Sequence, residues 1–380
     1  MKVTGDWIDA PSSQAALTML TGAGHAAFFV GGCVRNGLMD HPVSDIDIAT
    51  DALPDEVIKI AAAAGQRAVP TGIEHGTITV VVDDVPHEVT TFRKDVATDG
   101  RRATVAFSKN IADDARRRDF TMNALYADAG GAVMDPLGGI EDLHARRVRF
   151  IEDAPTRIKE DYLRILRFFR FHAWFGDANE GLDAEGLAAC AALSDGLEQL
   201  SKERIGAEMT KLLSAPDPAP SVAAMRSAGV LAQVLPGAED RLLAALVHLE
   251  DVQPPNFLRR LAILGGQQVD EHLRLSKADT RRHSVLTHEM EEMSTAKELG
   301  YRHGVALGTD ILLLRAVMSN HVVSQEDREH LVVGEAATFP ISAGDLMPHY
   351  EGPALGQKLK DLEQLWIASG FTLTKSDMLS

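Results

Sequence analysis

What most limits the fold of this 380-residue chain is a change of texture near residue 140. Before it, short β-branched runs alternate with turn residues and helical stretches. After Pro136 and Gly138-Gly139, apolar residues recur at helical spacing, with few strand signals, as far as residue 380. Such a chain builds a mixed sheet first and helices behind it, an α+β fold class. Strands are expected at 26–30, at 44–49, at 77–82 and 85–92 joined by Asp83-Asp84, and around 124–127 and 133–134, with a helix over 55–65 after Pro54. Helices are expected at 158–175, 203–213, 241–250, 256–264, 280–299 and 310–320. The proline cluster at 215–220 is either a boundary or a tight turn between helices, and the expected domains are 1–140, 141–215 and 216–380.

Charge narrows the function. The net charge of -17 excludes a protein that grips nucleic acid by bulk electrostatics over its whole surface. Residues 1–175 carry 20 Lys+Arg against 25 Asp+Glu, and residues 176–380 carry 18 against 30, so the acidity is concentrated at the back. Residues 93–118 reverse the sign, with eight bases against four acids, so a polyanion is met locally if at all. The chain has neither an apolar run long enough for a membrane span nor an opening that resembles a secretion signal, and a cytoplasmic location with no membrane partner is expected. Cys33 and Cys190 are too few for a disulfide framework and are expected to be free thiols.

Three constellations carry chemistry. In the first, Gly31-Gly32-Cys33-Val34-Arg35 follows a strand, so backbone N–H groups can approach an anion there while Arg35 clamps phosphate oxygens. Asp45 and Asp47, two apart on an expected strand, share a face and can hold Mg2+ against phosphates, with Glu88 as a third carboxylate. A lone Gly-Gly is equally a turn, and a lone Asp-x-Asp equally a solvated strand edge; their spacing together is harder to reach by accident. In the second, Arg116-Arg117-Arg118-Asp119 runs on to Asn123, suiting polyphosphate recognition, with Asp119 orienting one arginine and Asn123 bonding sugar or phosphate. A solvated charge run is the alternative.

In the third, Asp161 and Arg164 stand i, i+3 on the expected helix 158–175, with Arg167 and Arg170 continuing the ridge. A carboxylate beside a guanidinium can imitate a base-pairing edge, and a salt-bridged helix surface is the other possibility. The histidines His283, His288, His303 and His321 lack metal-site spacing, while Arg259-Arg260 and Arg281-Arg282 are either phosphate contacts or solvated helix faces.

The ordered set GGCVRN, SDIDIAT, EVTTFR, DGRR, RRDFTMNAL, DPLGG and EDYLRILRFFRF, over residues 26–215, resembles the class II tRNA nucleotidyltransferase and bacterial poly(A) polymerase superfamily. The resemblance implies a polymerase β-like nucleotidyltransferase head followed by an all-helical neck, body and tail, the last two binding tRNA. It implies that Asp45 and Asp47 bind catalytic Mg2+, that Glu88 is the third acid, and that Gly31, Gly32 and Arg35 meet the incoming nucleotide. By the same resemblance Arg117 and Arg118 hold triphosphate, Asn123 meets the sugar region, Asp161 and Arg164 read the base of CTP or ATP, and Arg167 and Arg170 support the phosphates. Arg204 and Glu208 would brace the neck helices.

The expected activity is untemplated addition of CCA to the 3' end of tRNA, with poly(A) synthesis, A-only addition or a non-catalytic RNA-binding module as alternatives. A loop at 93–102, made flexible by Gly100, fills the slot associated with switching from C to A, which disfavours CC-only addition. Two departures stand out. Asn36 replaces the family's usual aspartate after Arg35, and no His-Asp doublet is present, so no accessory phosphohydrolase metal site is expected.

Overall fold

The computed structural model describes residues 1–99, 102–251 and 253–380. The chain forms two compact units, residues 1–238 with 271–274, and residues 239–270 with 275–380. The first begins with helices α1 (Asp6–Asp9) and α2 (Pro11–Gly22), strand β1 (Ala27–Val30), α3 (Gly32–Leu38), β2 (Asp47–Thr50) and α4 (Pro54–Ala63). Strands β3 (Arg67–Gly72), β4 (Thr77–Val82), β5 (Val85–Thr91), β6 (Arg93–Asp99) and β7 (Arg102–Phe107) follow, then α5 (Ile111–Arg116), β8 (Tyr126–Ala127) and β9 (Val133–Met134). Among the described residues the larger sheet runs β3-β4-β5-β2-β1-β8-β9, while β6 and β7 form a separate two-stranded ribbon.

The sheet is mixed because β2 and β5 pair in parallel while the other neighbours are antiparallel. The β4–β5 hairpin turns at Asp83 and Asp84, both at positive φ (49° and 62°), the hand a two-residue hairpin needs to match strand twist. Ile78, Val80 and Val82 alternate inward along β4, and α2 and α4 pack against β4 and β5, burying Leu17, Leu20, Val57 and Ala61.

From residue 139 the unit is helical: α6 (Gly139–His144), α7 (Ala154–Glu160), α8 (Leu163–Phe175), α9 (Ala184–Ala192), α10 (Lys202–Leu213), α11 (Ala219–Ser227) and α12 (Val230–Val234). An aromatic cluster ties them to the head, with Phe120 5.0 Å from both Phe150 and Phe171 between ring centroids, and Phe150 stacked on Phe168 at 5.4 Å. The proline-rich stretch links α10 to α11 as a turn inside this unit.

The second unit holds α13 (Leu243–Glu250), α14 (Phe257–Leu264), α15 (Val269–Leu273, which runs into the 271–274 segment), α16 (Lys277–Glu289), α17 (Ala296–Ser319) and α18 (Gln325–Ala336). It ends with α19 (Ala343–Leu346), α20 (Gly352–Ala368) and α21 (Lys375–Leu379), gathered around Trp366 and Leu362. Among the described residues no helix is long and apolar enough to cross a membrane.

Several expectations are corrected. The strand expected at 44–49 begins only at Asp47, so Asp45 lies in the segment before it. The helix expected over 158–175 is interrupted at Asp161, the C-cap of α7, whose φ of -155° is extended and whose Oδ1 accepts from the Leu163 N–H at 3.1 Å in a local turn ahead of α8. The helix expected over 280–299 breaks before Thr295, whose side chain accepts from the Glu298 N–H and starts α17. The loop expected at 93–102 is the β6–β7 ribbon; the freedom assigned to Gly100 falls outside the described residues, as does Arg101. Helices α1 and α2 and edge strand β3 were not anticipated, since none carries a clear period.

Gly139 shows how tightly head and helices meet: a Cβ there would lie 2.2 Å from the Thr121 carbonyl oxygen. Because that neighbour is backbone and cannot swing away, Gly139→Ala is expected to lower unfolding free energy by about 1–3 kcal/mol, read by urea titration.

Candidate active site

The site is built from the edge of the sheet outward. β1 ends at Val30, and Gly31 turns the chain at φ 71° into α3, a conformation that favours glycine; a Cβ there would also crowd Arg118 Nη1 at 3.0 Å. Asp47 opens β2 directly opposite Glu88 on β5, and residues paired across parallel strands share a face. Asp45 is exposed, two residues ahead of the strand, with Ser44 Oγ donating to it at 3.1 Å. Burial pushes the Asp47 carboxyl up, Glu88 and Asp45 push it further against Arg118, and it settles at about 6.

Among the described residues none of the three carboxylates has an ion-pair partner, and no three carboxylate, imidazole or thiol groups converge into a finished metal cage. What is assembled is the Asp47–Glu88 pair with Asp45 at its entrance, an acidic site short of positive charge.

Beside it stands the arginine run. Asp114, on α5 and 1% exposed, receives Arg117 Nε at 3.0 Å, Arg118 Nη2 at 3.1 Å and the Tyr126 hydroxyl at 2.8 Å. Burial alone would raise the Asp114 carboxyl; Arg118, Arg117 and Tyr126 outweigh it and hold it at about 2. Two guanidinium groups thus share one carboxylate, leaving a positive surplus beside Asp47. Arg116 points elsewhere, to Asp113 and Glu152 at the surface.

A second chain of hydrogen bonds runs through Asp119. Its Oδ2 receives Arg167 at 2.5–2.6 Å and its Oδ1 receives Asn123 Nδ2 at 2.9 Å, while Asn123 Oδ1 accepts from Arg35 Nη1 at 2.5 Å. Arg35 also donates from Nε and Nη2 to Asn36 Oδ1 and lies 3.9 Å from the Phe175 ring centroid. Asn36 therefore does orient Arg35, yet as a neutral amide it leaves this buried guanidinium with no carboxylate within ion-pair distance among the described residues. Burial lowers Arg35 to about 10, with Asp119 pulling the other way and Arg170 and Arg167 adding to the fall. Arg170 pairs with Glu208 at 2.5 Å, and Phe171 lies between Arg35, Arg167 and Arg170.

The base-reading pair expected from sequence is arranged differently. Asp161 pairs with Arg204 at 2.7 Å, whereas Arg164 pairs with Glu160 at 2.5 Å and donates to the Arg157 and Arg117 carbonyls at 2.8 and 3.0 Å. The two are not i, i+3 on one helix; Asp161 is the hinge between α7 and α8, and Arg164 stands in the first turn of α8. Asp114, Glu160 and the rings of Phe171 and Phe175 went unassigned in the sequence, although Asp114 stands i, i+3 and i, i+4 from Arg117 and Arg118, a spacing that marks a shared carboxylate. A cleft of about 210 Å³ bounded by Thr121, Arg149, Glu152 and Asp183 contains none of these groups.

In the second unit Arg259 and Arg260 are not surface cations. They are 2% and 1% exposed and bound to Glu250, with Arg259 also on Asp310 at 2.5 Å, so the expectation of phosphate contacts is corrected.

Comparison with known proteins gives the family. Residues 27–149 match the poly A polymerase head domain, and residues 182–242 match the probable RNA and SrmB-binding site of polymerase A. The CCA-adding enzyme of Streptococcus sanguinis is 33% identical over 91% of this chain and 90% of its own length. The chain belongs to the CCA-adding enzyme family. A Streptococcus pyogenes CCA-adding enzyme is 41% identical over a shorter stretch, 63% of this chain and 58% of that relative. The crystal structure of the Bacillus stearothermophilus CCA-adding enzyme in complex with CTP superposes with a TM-score of 0.73 at 26% identity, over 94% of this chain and 92% of that one.

The carboxylates that bind these arginines also set acid stability. Burial would raise Asp119 too, but Arg167 and the Asn123 hydrogen bond outweigh it and hold it at about 2, as with Asp114. Folded values below the usual 3.8 mean that the folded state binds fewer protons, so the stability these groups supply is complete above about pH 4 and is lost as pH falls towards 2. Asp119→Asn is expected to flatten the slope of unfolding free energy against pH in that window, measured by urea titrations at several pH values.

Proposed function

We propose that this protein adds CCA to the 3' end of tRNA from CTP and ATP, releasing pyrophosphate. The observation that carries this is continuity: carboxylates lacking a cation, arginines in excess over their carboxylates and a hinge bearing Asp161 and Arg164 adjoin one another through Arg118, Asp114 and the Arg117 carbonyl. Those are the parts needed to hold a reacting hydroxyl, a triphosphate and a base side by side. The head, neck, and tRNA-binding body and tail correspond in this proposal to residues 1–140, 141–215 and 216–380. With tRNA as substrate, the cytoplasm is where it acts.

Asp45 and Asp47, with Glu88 alongside, would hold a divalent cation such as Mg2+; their mutual repulsion and lack of a cationic partner fit one. Bound there, such a cation would lower the pKa of the attacking 3' hydroxyl and offset phosphate charge. Arg117 and Arg118 clamp the triphosphate, leaving Asp114 to keep them aimed. Arg35, buried and linked to Asp119 only through Asn123, meets a further phosphate oxygen beside the Gly31-Gly32 turn, while Arg167 and Arg170 add positive potential behind it. Asn123, which bonds Arg35, would meet the nucleotide's sugar. Asp161 accepts from an exocyclic amine and Arg164 donates to a ring acceptor, each exchanging a present partner, Arg204 or Glu160, for the base.

The deciding experiment supplies purified protein and Mg2+ with tRNAs ending before CCA, after one C and after CC, and sizes the products. Growth by three, two and one nucleotides, then arrest, is the expected result; unlimited growth with ATP makes the protein a poly(A) polymerase, and growth of the CC end alone makes it an A-adding enzyme. Asp45→Ala and Asp47→Ala are expected to slow addition by about a thousandfold with unchanged Tm, and near-normal turnover in either variant would refute the metal assignment. Asn36→Asp would give Arg35 a counter-ion. It is expected to raise KM for both nucleotides severalfold while keeping or raising Tm, checked by steady-state kinetics and thermal melts.

A further inference from the structure

The α7–α8 hinge is fastened to the arginine run through the main chain. Arg157 on α7, with a side chain only 13% exposed, donates from Nη1 to the Arg116 carbonyl at 2.8 Å and from Nη2 to Glu160 Oε1. Glu160 Oε2 receives Arg164 Nη1 at 2.5 Å, that same nitrogen donates to the Arg157 carbonyl at 2.8 Å, and Arg164 Nη2 reaches the Arg117 carbonyl at 3.0 Å. The Arg116 and Arg117 carbonyls close the C-terminal end of α5, where unsatisfied carbonyls favour cationic donors. Arg157 and Arg164 thus hold the backbone that presents Arg117 and Arg118, and they share one carboxylate between them.

We infer that Arg157 is a positioning residue for base selection: it keeps Glu160 half engaged and the Arg116 carbonyl in register, so that Arg164 stays oriented and available to a nucleotide base. The physical reason is stoichiometric. Two guanidinium groups on one carboxylate leave a surplus of charge and donors facing the base. With Arg157 removed, Glu160 has Arg164 as its single partner and draws it into a closed bidentate pair. Arg157 itself touches no reacting group, and the inference rests on the base-reading role proposed for Arg164.

The test measures kcat and KM for CTP and for ATP at the first addition to tRNA lacking CCA, together with tRNA affinity and Tm. Arg157→Ala is expected to lower the CTP-over-ATP preference by about tenfold, mainly through KM for CTP, with tRNA affinity unchanged within about twofold. Arg157→Lys should recover only part of this, because an ammonium neutralises Glu160 but cannot span both acceptors as a planar fork does. Lys159→Ala, an exposed charge on the same helix, should change nothing. Because Arg157 acts through Arg164, the double variant Arg157→Ala/Arg164→Ala should lose no more preference than Arg164→Ala alone.

An unchanged preference in Arg157→Ala, or a uniform loss of activity tracking a lower Tm, overturns the inference; if the alanine variant does not fold, an unchanged preference in Arg157→Lys does so. Should Arg164→Ala also leave the preference intact, it is the base-reading role that fails, whereas a shifted Arg164→Ala beside an unshifted Arg157→Ala condemns the positioning role alone.

Discussion

The ion pair between Asp119 and Arg167 is the contact on which the rest of the candidate site depends. Asp119 is 8% exposed, directly follows the arginine run, and has the Phe120, Phe150 and Phe171 rings behind it. In that low-dielectric setting its charge is felt strongly, and its second oxygen passes the constraint through Asn123 to Arg35. Removing one member of such a buried pair leaves an uncompensated charge, so the site stands or falls as a network.

A chain of net charge -17 can still present a cationic site because its arginines are placed rather than spread. Asp114 serves Arg117 and Arg118, Asp119 serves Arg167, and Glu208 serves Arg170, while Arg35 has only amide oxygens and aromatic faces. The positive surplus is confined within the first unit, and at physiological ionic strength such a field reaches about 8 Å, far enough for a triphosphate and too short to gather RNA indiscriminately. The carboxylates facing it have the opposite imbalance: the raised Asp47 marks crowded negative charge that a bound cation relieves.

Buried charge explains where local patterns mislead. Arg259-Arg260 has the look of a phosphate-binding pair, yet both side chains turn inward to Glu250, and Arg259 and Arg282 meet on Asp310. Likewise Asp161 and Arg164 have ideal helical spacing, but Asp161 turns its carboxylate onto the Leu163 N–H, and its extended backbone takes it out of the helix that follows. Both cases turn on a partner distant in sequence or on a competition between side chain and backbone, neither of which periodicity records.

Much of the architecture is nevertheless local. The alternation along β4, the Asp83-Asp84 turn and the helical texture beyond residue 139 all follow from periods of 2.0 and 3.6 residues and from turn chemistry, so one sequence suffices to read them. Tertiary structure alone decided that Asp47 faces Glu88 across a parallel pair, that Asn123 reaches Arg35, that Arg164 reaches the Arg117 carbonyl 47 residues away, and that Arg157 reaches the Arg116 carbonyl 41 residues away. The difference is physical: backbone periodicity is an energy of neighbours, whereas the pairing of a buried charge is settled by whichever opposite charge or carbonyl the completed packing brings within hydrogen-bond reach.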